Sequence, residues 1–557
     1  MSNRKITGAT LLVDSLVAQG ASTIYGVPGE SYLAVLDALH DAPTLHFVNA
    51  RQEGGAAMMA EAHGKLTGEV GLCMVTRGPG ATNASAGVHV AFQDSTPMIL
   101  FIGQVASDQI EREAFQEIDY RRMFGQMAKW VAQIDDPARM PEFIARAYRT
   151  ALSGRPGPVV LALPEDMLTT EVPAPKALPP KVKPADSAPS PDAMAELKAL
   201  LKASERPFMI IGGGGWSAEA KQAVADFAEA NAIPVGVSFR CQDYFPNTHP
   251  NYAGHVGIGI DPALAARIKQ SDLLLVLGAR LGEMTTSGYT LIDIPVPKQT
   301  LIHIHADPEE PGRVFSPTLS IAARHATAAK MLSQLGTVRN IMDIDWVRAA
   351  HQGFEAFHAI PARKSPGDMQ MAEVMKHIDA NTPEGTIFTN GAGNYAIWAH
   401  RFLTYRGWRT QLAPTSGSMG YGLPAAVAAA IHDKNRPVIC FAGDGCFQMT
   451  CQEFATAAQE GAPIKVIVVN NGIYGTIRMH QEREYPARLS GTSLTNPDFA
   501  AMARAMGGLA ETVTRTEDFA NAFARIMAHD GPALIEIITD PQALTPVKTL
   551  DEFRNGQ

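Results

Sequence analysis

The 557-residue chain lacks the features that mark secreted, membrane-spanning or zinc-bound proteins. It holds five cysteines, an odd number without the paired spacing of a zinc site, so we expect free thiols in a reducing compartment. No uninterrupted apolar stretch reaches the ~20 residues that a membrane span needs. The amino-terminal apolar residues are interrupted by Asp14 and Gln19, which predicts an amphipathic helix and not a signal peptide. We therefore expect a cytoplasmic protein with no membrane partner.

Clusters of positive charge are also missing. The formal net charge is −9, and no block of lysine and arginine stands out, which excludes an obvious nucleic-acid partner. Hydrophobic residues make up 46% of the chain and charged residues 18%, which is typical of a folded globular protein. The length exceeds what one hydrophobic core usually supports and suggests about three domains.

Two proline-containing polar segments divide the chain. Residues 171–192 are dense in Pro, Ala and Lys, and a second joint falls within 346–368. We predict domains over 1–170, 193–345 and 369–557. In each, short apolar runs alternate with helical periods, the pattern of a parallel sheet covered by helices. The predicted fold class is α/β, with three doubly wound parallel-sheet domains.

The most informative stretch contains two apolar runs that each end in polar residues. The first run ends at Gly-Asp-Gly, the second at Asn-Asn, and a helical segment lies between them. In a parallel unit both strands end at the same edge of the sheet, so Asp444 and Asn471 should meet. A carboxylate and an amide oxygen form half of a Mg²⁺ site that a phosphate and water can complete. Gly443 and Gly445 would let the backbone approach that phosphate closely.

Either motif alone is a common turn, but their order and spacing together resemble the cofactor signature of thiamine diphosphate enzymes. The resemblance covers nearly the whole chain. It implies a pyrimidine-binding first domain, a Rossmann-like central domain and a diphosphate-binding last domain. It also implies thiamine diphosphate and Mg²⁺ as cofactors, with the carbonyl of Ile473 as the third protein ligand beside Asp444 and Asn471.

Glu53 follows the second expected strand, at the start of a helical segment rich in small residues. An isolated acidic residue in a first helical turn is favoured there by the helix dipole alone. Its context, Arg-x-Glu followed by small residues, resembles that of the cofactor-activating glutamate of thiamine diphosphate enzymes. The resemblance implies that Glu53 hydrogen-bonds the aminopyrimidine ring and promotes proton removal from the thiazolium carbon. We predict Glu53 as the catalytic residue.

Further stretches resemble the cofactor site of the same family. The glycine-rich loop of residues 77–83 follows a buried strand, and Met419 precedes Gly-Tyr-Gly-Leu-Pro. In the family a bulky apolar residue at the position of Met419 props the cofactor into a bent shape, whereas the alternative is ordinary core packing. Together with Gly443 and Gly445, the cofactor-binding residues implied are Pro28, Thr76, Asn83, Gln116, Asn394, Tyr395, Gly417, Met419, Cys446 and Tyr474.

Substrate selection is expected from the first domain. The stretches AFQDSTPMILFIGQV and AFQE resemble the acetolactate synthase group, in which the phenylalanine and glutamine lie near the reacting centre. Phe115 would form a pocket wall and Gln116 would bond a substrate oxygen. Arg77 departs from the group's pattern; it either pairs with a substrate carboxylate or is a solvated loop arginine. The predicted substrate residues are Gly29, Arg77, Phe115 and Gln116.

The central domain leaves a flavin as an alternative. Gly213, Gly215 and Ala218 match a dinucleotide-binding pattern, which on its own is a weak signal. In acetolactate synthases and pyruvate oxidases the corresponding domain binds flavin adenine dinucleotide. This chain departs from those relatives at His305, where they usually carry an acidic residue, and in the loop over 252–260. The sequence therefore leaves open whether the central domain binds FAD.

The family places each active site between two subunits, which implies a homodimer or a homotetramer. The resemblance favours a carboligase that decarboxylates a 2-oxo acid, like acetolactate synthase. The alternatives are a 2-oxo acid decarboxylase of the benzoylformate type and, less favoured, a flavin-dependent enzyme like pyruvate oxidase. Two departures bear on the choice. The adjacent histidines of many pyruvate decarboxylases are absent, and so is the tryptophan that biosynthetic synthases carry near Met479.

Overall fold

The computed structural model describes residues 4–339 and 343–556. The chain forms three six-stranded parallel sheets, each flanked by helices, and one two-stranded antiparallel ribbon. The predicted α/β class with three parallel-sheet domains is confirmed. Among the described helices, none combines the length and the apolar character that a membrane span needs.

The first sheet has the strand order β3-β2-β4-β5-β7-β6. Every residue of its central strand β5 is buried, as expected for a parallel strand covered on both faces. The strands are β1 (Lys5–Thr7), β2 (Thr23–Gly26), β3 (His46–Asn49), β4 (Gly71–Val75), β5 (Met98–Gln104), β6 (Trp130–Gln133), β7 (Pro158–Pro164) and β8 (Glu171–Pro173). The helices are α1 (Gly8–Ala18), α2 (Leu33–His40), α3 (Glu53–Thr67), α4 (Pro79–Asp94), α5 (Tyr120–Phe124), α6 (Met140–Leu152) and α7 (Glu165–Thr169).

The central sheet has the different order β11-β10-β9-β12-β13-β14, the arrangement of dinucleotide-binding folds. Its strands are β9 (Pro207–Ile211), β10 (Val235–Ser238), β11 (Tyr252–Val256), β12 (Leu273–Leu277), β13 (Thr300–His305) and β14 (Leu319–Ala322). Its helices are α8 (Pro191–Ala203), α9 (Ala218–Ala230), α10 (Pro262–Gln270), α11 (His325–Gln334) and α12 (Ile344–His358).

The last sheet has the order β16-β15-β17-β18-β20-β19, which repeats the connectivity of the first sheet strand for strand. Its strands are β15 (Ile387–Asn390), β16 (Gln411–Leu412), β17 (Val438–Gly443), β18 (Lys465–Asn470), β19 (Leu509–Val513) and β20 (Ala533–Ile538). Its helices are α13 (Met371–Ala380), α14 (Tyr395–Phe402), α15 (Gly422–His432), α16 (Asp444–Gln448), α17 (Glu453–Glu460), α18 (Gly475–Glu484), α19 (Phe499–Ala505), α20 (Thr516–Met527) and α21 (Leu550–Arg554).

The first and last domains share one hydrophobic core. Small residues on α3 and α4 allow the two helices to approach closely: a Cβ added to Gly87 would come within 2.4 Å of the Cβ of Ala57. The apolar face of α3 then packs against the alanine-rich α15, so buried residues of both domains form one continuous cluster. This packing orients the start of α3 relative to the last sheet of the same chain.

Both expected linkers contain regular structure. The first residues of 171–192 form β8, which pairs with β1, and the last two begin α8. The segment 346–368 starts inside α12, whose buried residues Trp346, Val347 and Ala350 pack against the central domain. The amphipathic period of this helix was hidden in sequence by its many charged and polar residues.

Candidate active site

Asp444 lies at the edge of the last sheet, where β17 ends and α16 begins. Its Oδ1 accepts a hydrogen bond from the backbone N–H of Gly445 at 2.8 Å. Its Oδ2 accepts from the N–H of Gly472 and from the side-chain amide of Asn496, each at 2.8 Å. Burial raises the pKa of Asp444, and these donors oppose the rise. The carboxylate is therefore held in one orientation, with oxygen lone pairs left for a further partner.

Asn471 follows β18, the strand beside β17, and lies in the turn that contains Gly472 at φ 68°. Its Oδ1 accepts a hydrogen bond from the N–H of Ile473 at 3.2 Å. Asp444, Asn471 and Ile473 line the same cavity. A carboxylate, an amide oxygen and a backbone carbonyl are the hard oxygen ligands that suit Mg²⁺.

This cofactor cavity, as we call it, has a volume of about 240 Å³. All of its lining residues lie between 371 and 544, and none comes from the first domain. The residues predicted in the last domain all line it: Asn394, Tyr395, Gly417, Met419, Gly443, Asp444, Gly445, Cys446, Asn471, Ile473 and Tyr474.

Two glycines of the motif lie against tyrosine rings. A Cβ on Gly443 would come within 2.8 Å of the ring of Tyr395, and one on Gly445 within 2.5 Å of the ring of Tyr474. The glycines therefore make room for two tyrosine rings in the cavity wall. Gly417, at φ 69°, faces open space instead.

Side-chain contacts join the rest of the wall. The hydroxyl of Thr476 donates to Oδ1 of Asn394 at 2.8 Å, and the amide of Asn394 donates to the sulfur of Met479 at 3.5 Å. The thiol sulfur of Cys446 accepts from the N–H of Gly420 at 3.1 Å and lies 3.1 Å from the hydroxyl of Tyr395. These contacts connect the residues before α14, the Met419 loop, α16 and α18 at one edge of the sheet.

The predicted residues of the first domain meet at the corresponding edge of their own sheet. Glu53 is the first residue of α3, capped by Gln52, and its Oε2 accepts from the amide of Asn83 at 3.0 Å. Thr76 bonds the hydroxyl of Ser31 at 2.9 Å and packs against Gly29, where a Cβ would come within 2.5 Å. Pro28 and Asn83 are exposed and Glu53 is half-buried.

The structure corrects one of the two alternatives for Arg77, the solvated loop arginine. Its guanidinium is buried and donates to the carbonyl of Phe115 and to the carboxylates of Glu30 and Glu165, each at 3.2 Å. It is thus not a solvated side chain, and two carboxylates of its own chain already lie within hydrogen-bond distance. Its bond to the Phe115 carbonyl holds the loop that carries the predicted substrate residues Phe115 and Gln116.

Phe115 and Gln116 project from that loop. The Phe115 side chain is 75% exposed, and Gln116 has the left-handed φ of 66° while packing against Gly78. Neither residue lines the cofactor cavity of its own chain.

A chain of polar side chains that the sequence did not predict supports Asp444. Asn496 donates to Asp444 and also to Oδ1 of Asn470 at 2.9 Å. Asn470 in turn donates to Oε1 of Glu536 at 2.8 Å, and Glu536 accepts from Thr512 at 3.1 Å. Asn496 stands in an Asn-Pro-Asp segment before α19, which reads as an ordinary helix start; only the tertiary fold brings it to Asp444.

Family comparisons agree with this architecture. Residues 6–123 match the N-terminal TPP binding domain of thiamine pyrophosphate enzymes, 194–335 match the central domain, and 391–537 match the C-terminal TPP binding domain.

Among curated proteins, the acetolactate synthase large subunit of Corynebacterium glutamicum is 32% identical over 553 residues, 97% of this chain and 88% of that protein. The acetolactate synthase isozyme 2 large subunit of Escherichia coli K12 is 30% identical over 551 residues, 96% of each chain. The large subunit of Lactococcus lactis is 32% identical over 540 residues, 96% of this chain and 92% of that protein.

The chain belongs to the thiamine pyrophosphate enzyme family, as its sequence motifs predicted. Within that family it is similar over nearly its whole length to acetolactate synthase large subunits.

Proposed function

We propose that this protein is a thiamine diphosphate- and Mg²⁺-dependent carboligase that decarboxylates a 2-oxo acid and joins the remaining acyl unit to a second carbonyl compound. The observation that carries the proposal is the cofactor cavity with Asp444, Asn471 and Ile473 at its edge. The full-length similarity to acetolactate synthases supports the carboligation half.

The described residues fit the implied cofactor. Asp444, Asn471 and the carbonyl of Ile473 would hold Mg²⁺, and Asn394 and Tyr395 would contact the diphosphate. Gly417 leaves open space above the wall, and Met419 lies in the loop beside it. When bound, thiamine diphosphate supplies a carbon nucleophile that accepts the electrons released by decarboxylation. The apolar part of the cavity would exclude water from that centre.

Glu53 would hold a proton on the aminopyrimidine end of the cofactor. The site then needs two subunits, because the cofactor cavity of one chain contains no residue of its own first domain. The start of α3 instead faces α17 of its own chain: the N–H of Arg51 donates to both carboxylate oxygens of Glu453 at 3.2 Å. The exposed Phe115 and Leu33 support an interface on this side.

FAD is not part of the proposal, because the adenosine end of a flavin fits these residues poorly. Gly214 packs on the carbonyl of Ser95, where a Cβ would come within 2.3 Å, and its own carbonyl accepts from His325 at 2.6 Å. At the end of β13, His305 replaces the carboxylate that would bind a ribose. Burial, followed by the charge of His325, lowers the pKa of His305 to about 2, so the ring is neutral. The absorbance spectrum of the purified protein tests this, since bound flavin would colour it yellow.

We also propose the cytoplasm as the compartment, because the five cysteines are free in the structure.

Product analysis tests the reaction. The protein is incubated with pyruvate, thiamine diphosphate and Mg²⁺, and we expect acetolactate. Acetaldehyde as the sole product would instead identify a simple decarboxylase, and acetyl phosphate or acetate with peroxide an oxidase. If pyruvate is not consumed but a bulkier 2-oxo acid is, the substrate assignment changes and the reaction class stays the same.

Subunit mixing tests the shared site. Neither Glu53→Gln nor Asp444→Ala subunits should be active alone, but co-expressed chains should regain activity, because one site of each mixed dimer carries neither change. Random pairing predicts about a quarter of the wild-type sites. Mixed dimers without activity would mean that each chain builds its own complete site.

A further inference from the structure

The loop that carries Met419, which we define as residues 413–421, joins β16 to α15. Met419 lines the cofactor cavity, and Gly417 borders both that cavity and a second one of about 560 Å³. Gly417 and Gly420 have left-handed φ angles of 69° and 82°, where the backbone of glycine is least restricted. Such a loop loses much conformational freedom when it is ordered, so contacts from outside must select its conformation.

Two charged side chains of the first domain bond the start of the Met419 loop. Nζ of Lys65, near the end of α3, donates to the carbonyl of Ala413 at 3.0 Å. Asp94, the last residue of α4, accepts through Oδ1 from the N–H and the hydroxyl of Thr415, at 2.9 and 2.5 Å. Lys65 and Asp94 also form an ion pair with each other. One ion pair therefore bonds the backbone on both sides of Pro414.

Two further contacts hold the loop. The hydroxyl of Tyr421, at its end, donates to Oε2 of Glu61 at 2.5 Å. Glu61 lies one turn before Lys65 on α3, and its carboxylate is 3.4 Å from the ammonium group. From the central domain, Nη1 of Arg240 donates to the carbonyl of Pro414. All three domains thus contact this one loop.

The three first-domain charges, Glu61, Lys65 and Asp94, form a group that we call the loop cluster. The side chains of Glu61 and Asp94 are fully buried, and that of Lys65 is 14% exposed. Removing such charges from water is costly, and apolar residues of similar volume often stabilise a fold at least as well. General stability therefore explains the loop cluster poorly. Each of its members bonds the Met419 loop, which points to the loop as the element they serve.

We propose that the loop cluster consists of positioning residues that fix the Met419 loop and, through it, the shape in which the cofactor is bound; this rests on the proposed function. None of the three lines the cofactor cavity, so they act through the loop. A loosened loop would let Met419 withdraw from the cavity wall, while Asp444 and Asn471 would keep their own contacts. The expected loss is therefore in turnover and not in metal affinity.

The loop cluster lies in the same domain as Glu53 but serves a different site. Glu53 begins α3 and is proposed to act in the cofactor cavity of the partner subunit. Lys65 lies more than three turns later on that helix, about 18 Å along its axis, and bonds the loop of its own chain. Asp94 should therefore act together with Asp444 of its own chain. Each first domain would contribute to two sites, one through the start of α3 and one through the ends of α3 and α4.

Hydrogen exchange followed by mass spectrometry tests the positioning role in the cofactor-free protein. Asp94→Ala removes the bonds to Thr415 and leaves Glu61 to neutralise Lys65. We expect the amides of residues 417–421, which Asp94 does not itself bond, to exchange about tenfold or more faster than in wild type. The amides of β17 and β18 should exchange at the wild-type rate. Asp94→Glu keeps the charge and should restore part of the protection.

Asp379→Ala is the matched control. The Asp379 carboxylate is also buried, accepts from the N–H and the hydroxyl of Thr404 at 2.8 and 3.0 Å, and pairs with Arg406 at 3.1 Å. It lines neither cavity. This variant should lower the melting temperature as Asp94→Ala does but leave exchange of the Met419 loop unchanged. Equally fast loop exchange in both variants, or wild-type exchange in Asp94→Ala, would overturn the proposal.

Thiamine diphosphate supplies a second measurement, made without substrate. Release of the thiazolium C2 proton into D₂O depends on the bent shape of the cofactor. In Asp94→Ala we expect this release and kcat each to fall about tenfold or more, with Mn²⁺ affinity within about threefold of wild type. Wild-type proton release would contradict the proposal. Should Asp94→Ala fail to fold, Thr415→Val removes one of the two bonds from the loop side and should speed the same loop exchange about threefold; unchanged exchange would then overturn the proposal.

Mixed dimers purified through two different tags test which site Asp94 serves. Paired with a Glu53→Gln chain, the Asp94→Ala chain should give about half of the wild-type activity, because the Glu53→Gln chain keeps its own loop cluster and receives an intact glutamate. Paired with an Asp444→Ala chain, it should give about 5%, which is half of a tenfold-reduced rate, because neither site is intact. The reverse pattern would overturn the assignment. Wild-type protein that turns over no 2-oxo acid would instead refute the proposed function and leave the hydrogen-exchange result to decide the role of the loop cluster.

Discussion

The first and last domains have the same strand order, yet their candidate site carboxylates are held in different ways. In the last domain, Asp444 is buried and receives three N–H donors within the chain. In the first domain, Glu53 is half-buried and has one side-chain partner, the exposed Asn83. A metal ligand needs its orientation before the metal arrives, whereas a group that exchanges protons with a cofactor needs an accessible oxygen. With the roles proposed for Asp444 and Glu53, the same sheet edge would serve two chemistries through its loops.

The largest expected effect is on turnover, and it comes from replacing Glu53, the more accessible of the two carboxylates. Glu53→Gln keeps the size of the side chain and its contact to Asn83 but removes the exchangeable carboxyl. We expect turnover to fall by about 10²–10⁴-fold while thiamine diphosphate retention stays within about threefold. Glu69→Gln, at an exposed surface pair, is the control. Near-normal turnover in Glu53→Gln would contradict the proton-exchanging role that distinguishes Glu53 from Asp444.

Replacing Asp444 should have the opposite effect to replacing Glu53: binding of the metal and of the cofactor should be lost. Asp444→Ala removes the only carboxylate of the predicted metal set, so we expect Mg²⁺ affinity to fall by more than about 100-fold and thiamine diphosphate to be lost on dialysis. Mn²⁺ binding followed by electron paramagnetic resonance measures the first effect without turnover. Variant protein that keeps its cofactor as wild type does would contradict the metal assignment.

The polar chain behind Asp444 should have a smaller effect. Asn496→Ala removes one of the donors that orient the Asp444 carboxylate, so we expect Mn²⁺ affinity to fall about 10–100-fold. The hydrogen bond between Glu53 and Asn83 should be unchanged. Asn555→Ala, at an exposed site near the end of the chain, is the matched control. Unaltered metal affinity would mean that the backbone donors alone hold Asp444.

The smallest effect is expected from the glycines. Gly445→Ala places a Cβ 2.5 Å from the Tyr474 ring, so we expect a loss of about 1–3 kcal/mol in unfolding free energy and a shifted ring. Gly353→Ala, in α12 with no atom within 4 Å of the new Cβ, should be neutral or stabilising. Thermal unfolding of both variants without cofactor gives the comparison, and equal melting temperatures would contradict the steric argument.

Local pattern predicted much of this architecture. The apolar runs before Gly443 and Asn470 are strands, because each is buried on both faces and is bounded by turn residues. The helix α12 was missed, because only one narrow face of it is apolar. The environment of Arg77 was also missed, since its partners Glu30 and Glu165 are distant in sequence.

By itself the sequence determined the α/β class, the family and the residues at the ends of β17 and β18, since these depend on short-range periodicity and on motifs whose spacing follows from the strand–helix–strand unit. Tertiary structure alone decided which other side chains contact the residues at these strand ends. Asn496, Glu453 and Arg240 meet their partners through loops that converge at sheet edges and domain boundaries. Hydrogen bonds and buried charges depend on distances of a few ångströms between residues far apart in the chain, and no local pattern encodes those distances.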